Sequence, residues 1–212
     1  MTTLRIHPLS PISNMPILAL LVLAIAVLSW FGLQMDPHIA DENHLLEWGQ
    51  ALFLLLACVV HGRRAWQAPR SSVSFALHLG LALLMYAFLL RELDIDNFGE
   101  HVLWTWIERG FRGVELVLWV AYLAFMLPRV KALFSQRAAI FTMPVMVLTL
   151  VGSVFMIAGW PFDKAVFHAI PHAINELAEE VLELNGYMIL FCAALADSSA
   201  GLRLNSAVAK LR

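Results

Sequence analysis

The run "MPILALLVLAIAVLSWFGLQM" at residues 15–35 holds no charged side chain. A helix rising 1.5 Å per residue needs about 20 residues to cross the hydrocarbon of a bilayer, so this one stretch decides the class of the fold. Lipid offers no partner to an open backbone, which makes the helix the default spanning element. Five further apolar runs follow, at 48–62, 71–90, 116–128, 138–162 and 184–196. Of the 212 residues, 60% are hydrophobic and only 14% charged, with a mean hydropathy of +0.74, outside the balance of an ordinary soluble domain or a disordered chain. The expected fold is an all-α integral membrane protein with one domain over 1–212. Six transmembrane helices are expected near 15–35, 44–62, 72–91, 110–128, 139–160 and 173–197, forming three hairpins in one bundle. Although Arg5 precedes the first run, that run is expected to be a spanning helix and not a targeting segment. Cys58 and Cys192 both fall inside apolar runs and imply no disulfide framework.

Charge gives the bundle two distinct ends. Ten of the fourteen Lys and Arg residues fall in the loops at 62–70 and 128–137, at Arg5 and in the C-terminal tail with Arg203, Lys210 and Arg212; the others are Arg91, Arg109, Arg112 and Lys164. By the positive-inside rule both termini are cytoplasmic. Fifteen of the sixteen acidic residues, all but Asp197, lie at the opposite end, with five histidines: His38, His44, His101, His168 and His172. A solvated loop accounts for the "DPHIADENH" stretch at 36–44. It does not account for the glutamates beyond it.

Only thirteen uncharged residues separate Glu115 from Arg129, thirteen separate Glu183 from Asp197, and fifteen separate Glu47 from Arg63. None of these runs spans a bilayer alone, so each helix extends outward past its glutamate. Glu47, Glu115 and Glu183 are thereby placed one or two turns inside the outer leaflet. An ionisable group at that depth is costly and marks a functional site by default. The three are spaced 68 residues apart, in "LLEW", "GVEL" and "VLEL", which suggests a weak repeat of helical hairpins and a shared polar pocket. The alternative for each glutamate is snorkelling to the interface or capping a helix start.

The segment "HAINELAEEVLELNG" at 172–186 sharpens the picture. Wrapped at 100° per residue, His172, Glu176, Glu179, Glu180 and Glu183 fall within an arc of roughly 100°. His168 joins them only if the helix continues through Pro171, and proline prefers a first turn. Clustered carboxylates repel, and i,i+4 pairs such as Glu176/Glu180 destabilise a helix. Water, arginines or a metal ion must offset this. A His-x-x-x-Glu spacing presents nitrogen and oxygen on adjacent turns and suits Zn, Fe or Mn. The expected metal ligands are His172, Glu176, Glu179, Glu183 and Glu47, with Glu115 and Glu180 as catalytic carboxylates. The competing reading is a solvated helix entry with Arg91, Arg109 and Arg112 as counter-ions. In the segment 89–116, Glu108, Arg112 and Glu115 share a helical face, and Trp104 and Trp106 read as interfacial anchors.

Other chemistry lacks its signatures. The chain has no His-Glu-x-x-His, no cysteine cluster, no Glu-x-x-His pair of the di-iron bundles, and no P-loop or dinucleotide glycines. His61 and His78 sit near the cytoplasmic ends, not mid-helix as a membrane haem requires. The functional expectation is a metal-binding protein of a bacterial inner membrane. Its site opens to the periplasmic leaflet, for metal-dependent hydrolysis of a lipid-linked or amphipathic substrate. The alternatives are a non-catalytic sensor or assembly subunit, and a cation or proton transporter. The partners expected are the bilayer and such a substrate, and not nucleic acid.

Overall fold

The computed structural model describes residues 15–36, 39–40, 44–93, 95–99, 102–164 and 166–196, and every regular element among them is helical. The helices are α1 (Met15–Met35), α2 (Leu45–Gln67), α3 (Val73–Glu92), α4 (Val102–Met126), α5 (Val130–Ser135), α6 (Arg137–Phe141), α7 (Pro144–Asp163) and α8 (His172–Leu195). Five are long and apolar enough to cross a membrane: α1, α2, α3, α7, and α4 with its continuation to Ser135. The glutamates of α8 keep it out of that group. Yet α8 is the centre of the molecule, because every residue from Glu183 through Leu190 is buried.

The other helices are arranged around α8. α7 and α2 pack directly on it, α1 lies along it, α3 pairs with α2, and α4 packs on α3. The α7–α8 crossing depends on two glycines. A Cβ on Gly152 would stand 2.9 Å from the Gly186 carbonyl oxygen, and one on Gly186 would stand 3.0 Å from the Gly152 carbonyl and 2.9 Å from Met156 Cγ. Small residues allow this approach, which is how helices associate without a hydrophobic drive between them. α2 and α3 form an antiparallel hairpin whose turn ends at Ser72, where Oγ accepts the Phe75 N–H at 3.0 Å and caps α3. Between α2, α3 and α8 lies an apolar core of Leu54, Ala57, Met85, Tyr187, Leu190 and Ala194.

Several helix boundaries differ from those drawn on hydropathy, and each difference has a local cause. α4 begins at Val102, not near 110, because Glu108 is satisfied within it: its carboxylate accepts Arg112 Nε at 2.5 Å and the Asp96 N–H at 3.1 Å. α2 runs on to Gln67 through Arg63 and Arg64. There Arg64 donates to the carbonyls of Leu195, at 2.9 Å, and Ala196, meeting the orphan acceptors at the C-terminus of α8 with positive charge. α7 starts at Pro144, a first-turn proline, and residues 137–141 form the separate α6. α8 starts at His172, so His168 lies outside its stripe. Within the expected hairpins, α3/α4 and α7/α8 are packed pairs, whereas α1 uses α8 as its main neighbour. Arg5, His38, Asp41, Glu42, Asp94, Glu100, His101, Asp197, Arg203, Lys210 and Arg212 lie outside the described residues.

Candidate functional site

Three helices bring polar side chains together at the acidic end of the core. α2 supplies Glu47 and Gln50, one turn apart on one face. The last turn of α3 supplies Arg91 and Glu92. α8 supplies Glu180, Glu183 and Tyr187, whose i, i+3, i+7 spacing aligns them on one face.

Arg91 organises half of this chamber. Its Nη2 donates to both carboxylate oxygens of Glu183, at 2.6 and 2.7 Å, and its Nε donates to Glu92 Oε1 at 2.8 Å. The same Glu92 oxygen accepts the hydroxyl of Tyr187 at 2.8 Å, and Tyr187 is wholly buried. Charge-assisted bonds of this kind are among the strongest in proteins and fix both partners in orientation. The Arg91 side chain remains 53% exposed while that of Glu183 is 11% exposed, so the guanidinium sits at the rim and the carboxylate inside.

Gln50 organises the other half. It is fully buried, and its Nε2 donates to Glu180 Oε2 at 2.6 Å and to the Glu180 carbonyl at 3.2 Å. Two acceptors on one side fix which way the amide faces. Its Oε1 has no hydrogen-bond partner among the described residues. Glu47 lies within Coulombic reach of Glu180, as do Glu183, Glu92 and Glu179. Beside Glu47 a cleft opens, lined by Glu47, Trp48, Ala51, Glu92 and Leu93. Trp48 stacks on Phe98, with ring centroids 6.1 Å apart, and Phe98 meets Trp104 edge-on at 5.9 Å, giving the cleft an aromatic lip. Glu92 and Glu183 thus share the guanidinium of Arg91.

The stripe expected on α8 is present but divided by depth. His172 and Glu176 pair at 3.0 Å at the mouth, with side chains 83% and 37% exposed. Glu179 lies within reach of Asp163 and Lys164 at the end of α7. Only Glu180 and Glu183 enter the chamber with Glu47. Glu115 does not join them: it lies on α4, which packs on α3, and it is within Coulombic reach of Tyr86. Arg112 is engaged by Glu108, and Arg109 lies over Trp106 at 5.4 Å. Among the described residues, no group of three His, Cys, Asp or Glu side chains is placed to hold a metal ion.

The site expected from the sequence includes neither Gln50 nor Tyr187. Both carried a signal. Gln50 is one turn from Glu47, and Tyr187 is one turn from Glu183, each on the face that carries the carboxylate. A second polar pair lies at the basic end. His61 and His78 face each other with Nδ1 atoms 3.0 Å apart, each 1% exposed. They stand equidistant from the α2–α3 turn, which is the register that brings them opposite in a hairpin. Comparison with protein families, curated proteins and solved structures finds no match to this chain.

Proposed function

We propose that the chain is a six-span protein of a bacterial inner membrane, with both termini cytoplasmic, whose periplasm-facing acidic chamber binds a divalent cation. The observation that carries this reading is the gathering of carboxylates in the chamber: Glu92 and Glu183 share one half-exposed guanidinium, and Glu180, held by Gln50, stands within Coulombic reach of both. Carboxylates drawn out of water next to one another require compensating charge, and a bound cation supplies it by stabilising the ionised forms. The Lys/Arg asymmetry of the sequence supports the sidedness. Counting α8 as the sixth span rests on its position, since Glu180 and Glu183 are turned to α2 and α3 and not to lipid.

A cation in this chamber would supply Lewis acidity and an activated water. Glu180 takes the general-base role, and the aromatic-lipped cleft admits an amphipathic substrate from the leaflet. Glu115, on α4, falls outside this assignment. The test is elemental analysis of protein purified in detergent without chelator, alongside Glu180→Gln. A stoichiometric divalent ion in the wild type, reduced in the variant, is the expected result. Protein that carries no divalent ion, and whose unfolding temperature ignores added Mn²⁺, Ca²⁺ and Zn²⁺, would overturn the reading.

A further inference from the structure

The basic end carries a surface that the acidic chamber does not use. Between Glu115 and Asp163 the sequence holds no acidic residue, and it holds Arg129, Lys131 and Arg137. The loop at 62–70 adds Arg63, Arg64 and Arg70 at the same end. On the whole of this side of the sequence, ten Lys and Arg face one acidic residue, Asp197. The chain's own carboxylates are too few to balance these cations, whichever way its tails run.

The connection from α4 to α7 presents three of them on a shelf. It consists of a 3₁₀ turn at Leu127–Arg129 followed by α5 and α6, and no residue from 127 to 142 is buried. α4 and its continuation run from Val102 to Ser135, about 50 Å at 1.5 Å per residue, against about 30 Å of hydrocarbon. Arg129 follows Arg112 by about 25 Å of helix, so the turn at Leu127–Arg129 falls where the chain leaves the hydrocarbon. Two guanidiniums are folded back onto phenyl rings there. Arg129 Cζ lies 3.7 Å from the centroid of Phe125, and its Nη1 donates to the Phe125 carbonyl at 2.6 Å. Arg137 repeats the unit on Phe134, at 4.4 Å and 3.0 Å. Each of these bonds uses one of the five N–H donors of a guanidinium. Phe134 is 65% exposed, and Leu127, Val130 and Phe141 are exposed along the same segment. Phe125 also meets Phe75 edge-on at 5.4 Å, and the Tyr122 hydroxyl donates to the Ala76 carbonyl at 3.1 Å. These contacts set the end of α4 level with the start of α3, next to the turn that carries Arg70.

Exposed rings interleaved with guanidiniums suit a boundary, where the ring meets acyl chains and the cation meets headgroups. A small anion would balance the charge and leave the rings in water. A phospholipid with net negative charge answers both, with phosphate for the guanidinium fork and acyl chain for the rings. We propose that the α5–α6 shelf docks anionic phospholipid, with Arg129 and Arg137 on the phosphate, Lys131 adding charge, and Phe134 and Phe141 among the acyl chains. This surface lies at the opposite end of the bundle from the acidic chamber and holds whether or not the chamber binds a cation.

The experiment is a titration of the full chain in a neutral detergent with phosphatidylglycerol, phosphatidylcholine or inorganic phosphate. Bound lipid is counted by native mass spectrometry, and the unfolding temperature is followed in parallel. Phosphatidylglycerol should bind and raise the unfolding temperature, while phosphatidylcholine and phosphate should do neither. Arg129→Gln/Arg137→Gln should weaken phosphatidylglycerol binding by about thirtyfold, at a factor of about five for each Lys or Arg near an anionic surface. Lys131→Gln/Arg137→Gln guards against a folding artefact, because it keeps the bond from Arg129 to the Phe125 carbonyl; it should weaken binding to a similar degree. Arg109→Gln, at the other end of α4, should bind as wild type does. Absence of phosphatidylglycerol binding, or equal binding of phosphatidylcholine, would overturn the proposal. So would displacement of the lipid by inorganic phosphate, binding unchanged in both double variants, or a loss in Arg109→Gln as large as theirs.

Discussion

At the basic end of the core, His61 and His78 meet across α2 and α3 with one ring nitrogen of each satisfied by the other, and Arg64 nearby closes the C-terminus of α8. At the acidic end, Glu92 and Glu183 converge on one guanidinium, Glu180 is held by Gln50, and a cleft opens beside Glu47 and Glu92. Both ends place polar groups inside an apolar bundle, but they do so differently. The histidine pair joins its two helices through one Nδ1–Nδ1 hydrogen bond and leaves the buried His78 Nε2 without a partner among the described residues. The acidic chamber gathers Glu92 and Glu183 on one guanidinium and sets Glu180 against Gln50. Buried polar groups are normally satisfied, yet each end holds one unpartnered buried atom among the described residues, Gln50 Oε1 or His78 Nε2; what separates the two ends is the gathering of carboxylates at one of them. The apolar layer of Leu54, Ala57, Met85 and Leu190 lies between the two ends. It keeps them distinct and argues for a site reached from one side over a polar path through the bundle.

The largest effect is expected at Arg91. Replacement by leucine leaves Glu183 and Glu92 clustered without their cation, and breaking such a pair costs about 3 kcal/mol or more; the half-exposed guanidinium places the loss at the lower end of that range. Glu183→Leu added to Arg91→Leu should recover part of it. An unfolding transition that does not move for Arg91→Leu would remove the contrast between the ends, since neither would then carry unbalanced charge.

The next effect concerns the packing that holds α8 in place. Gly152→Ala sets a methyl 2.9 Å from the Gly186 carbonyl oxygen, so α7 and α8 must part. Overpacking of this kind costs about 1–3 kcal/mol. A loss measured by chemical unfolding, with weaker Mn²⁺ binding, would show that the chamber depends on α8's position. Full stability with unchanged binding would show that α7 does not position it.

At the basic end, His78→Leu leaves the His61 ring nitrogen without its partner and should cost about 1–2 kcal/mol. The double variant His61→Leu/His78→Leu removes both polar partners and should recover most of that loss. A double variant worse than the sum of the singles would mean that the pair does more than join two helices. The smallest effect is expected at the mouth. His172→Ala breaks an exposed i,i+4 pair and should change stability by no more than about 0.5 kcal/mol. A larger loss would extend the chamber outward to the first turn of α8.

The contrast between the ends also marks what the sequence could disclose. Helix positions followed from uncharged runs, because the length needed to cross hydrocarbon is fixed by geometry. The face shared by Glu180 and Glu183 followed from helical periodicity. Glu47 was reached by a depth argument that counts residues to the nearest charge, and it does lie within reach of Glu180. The same argument put Glu115 beside them, because matched depth says nothing of which way a helix faces. α4 packs on α3, which turns Glu115 toward Tyr86. The partners of each carboxylate were not legible either. Arg91, Arg109 and Arg112 were equivalent candidates in one dimension, and only the packing of α3 against α8 selects Arg91 for Glu183. Gln50 shares the face of Glu47, but its bond to Glu180 is visible only once α2 and α8 are in contact.

The claim that the acidic chamber is completed by a cation is tested most directly by the unfolding temperature in detergent, measured from excess chelator to millimolar Mn²⁺ for wild type and Glu180→Gln. A ligand that binds only the folded state stabilises it by about 2.7 kcal/mol at a hundredfold excess over Kd. Wild type should therefore unfold at progressively higher temperature as Mn²⁺ rises, and Glu180→Gln should rise far less. A wild-type transition that stays at one temperature across the whole range would contradict the account.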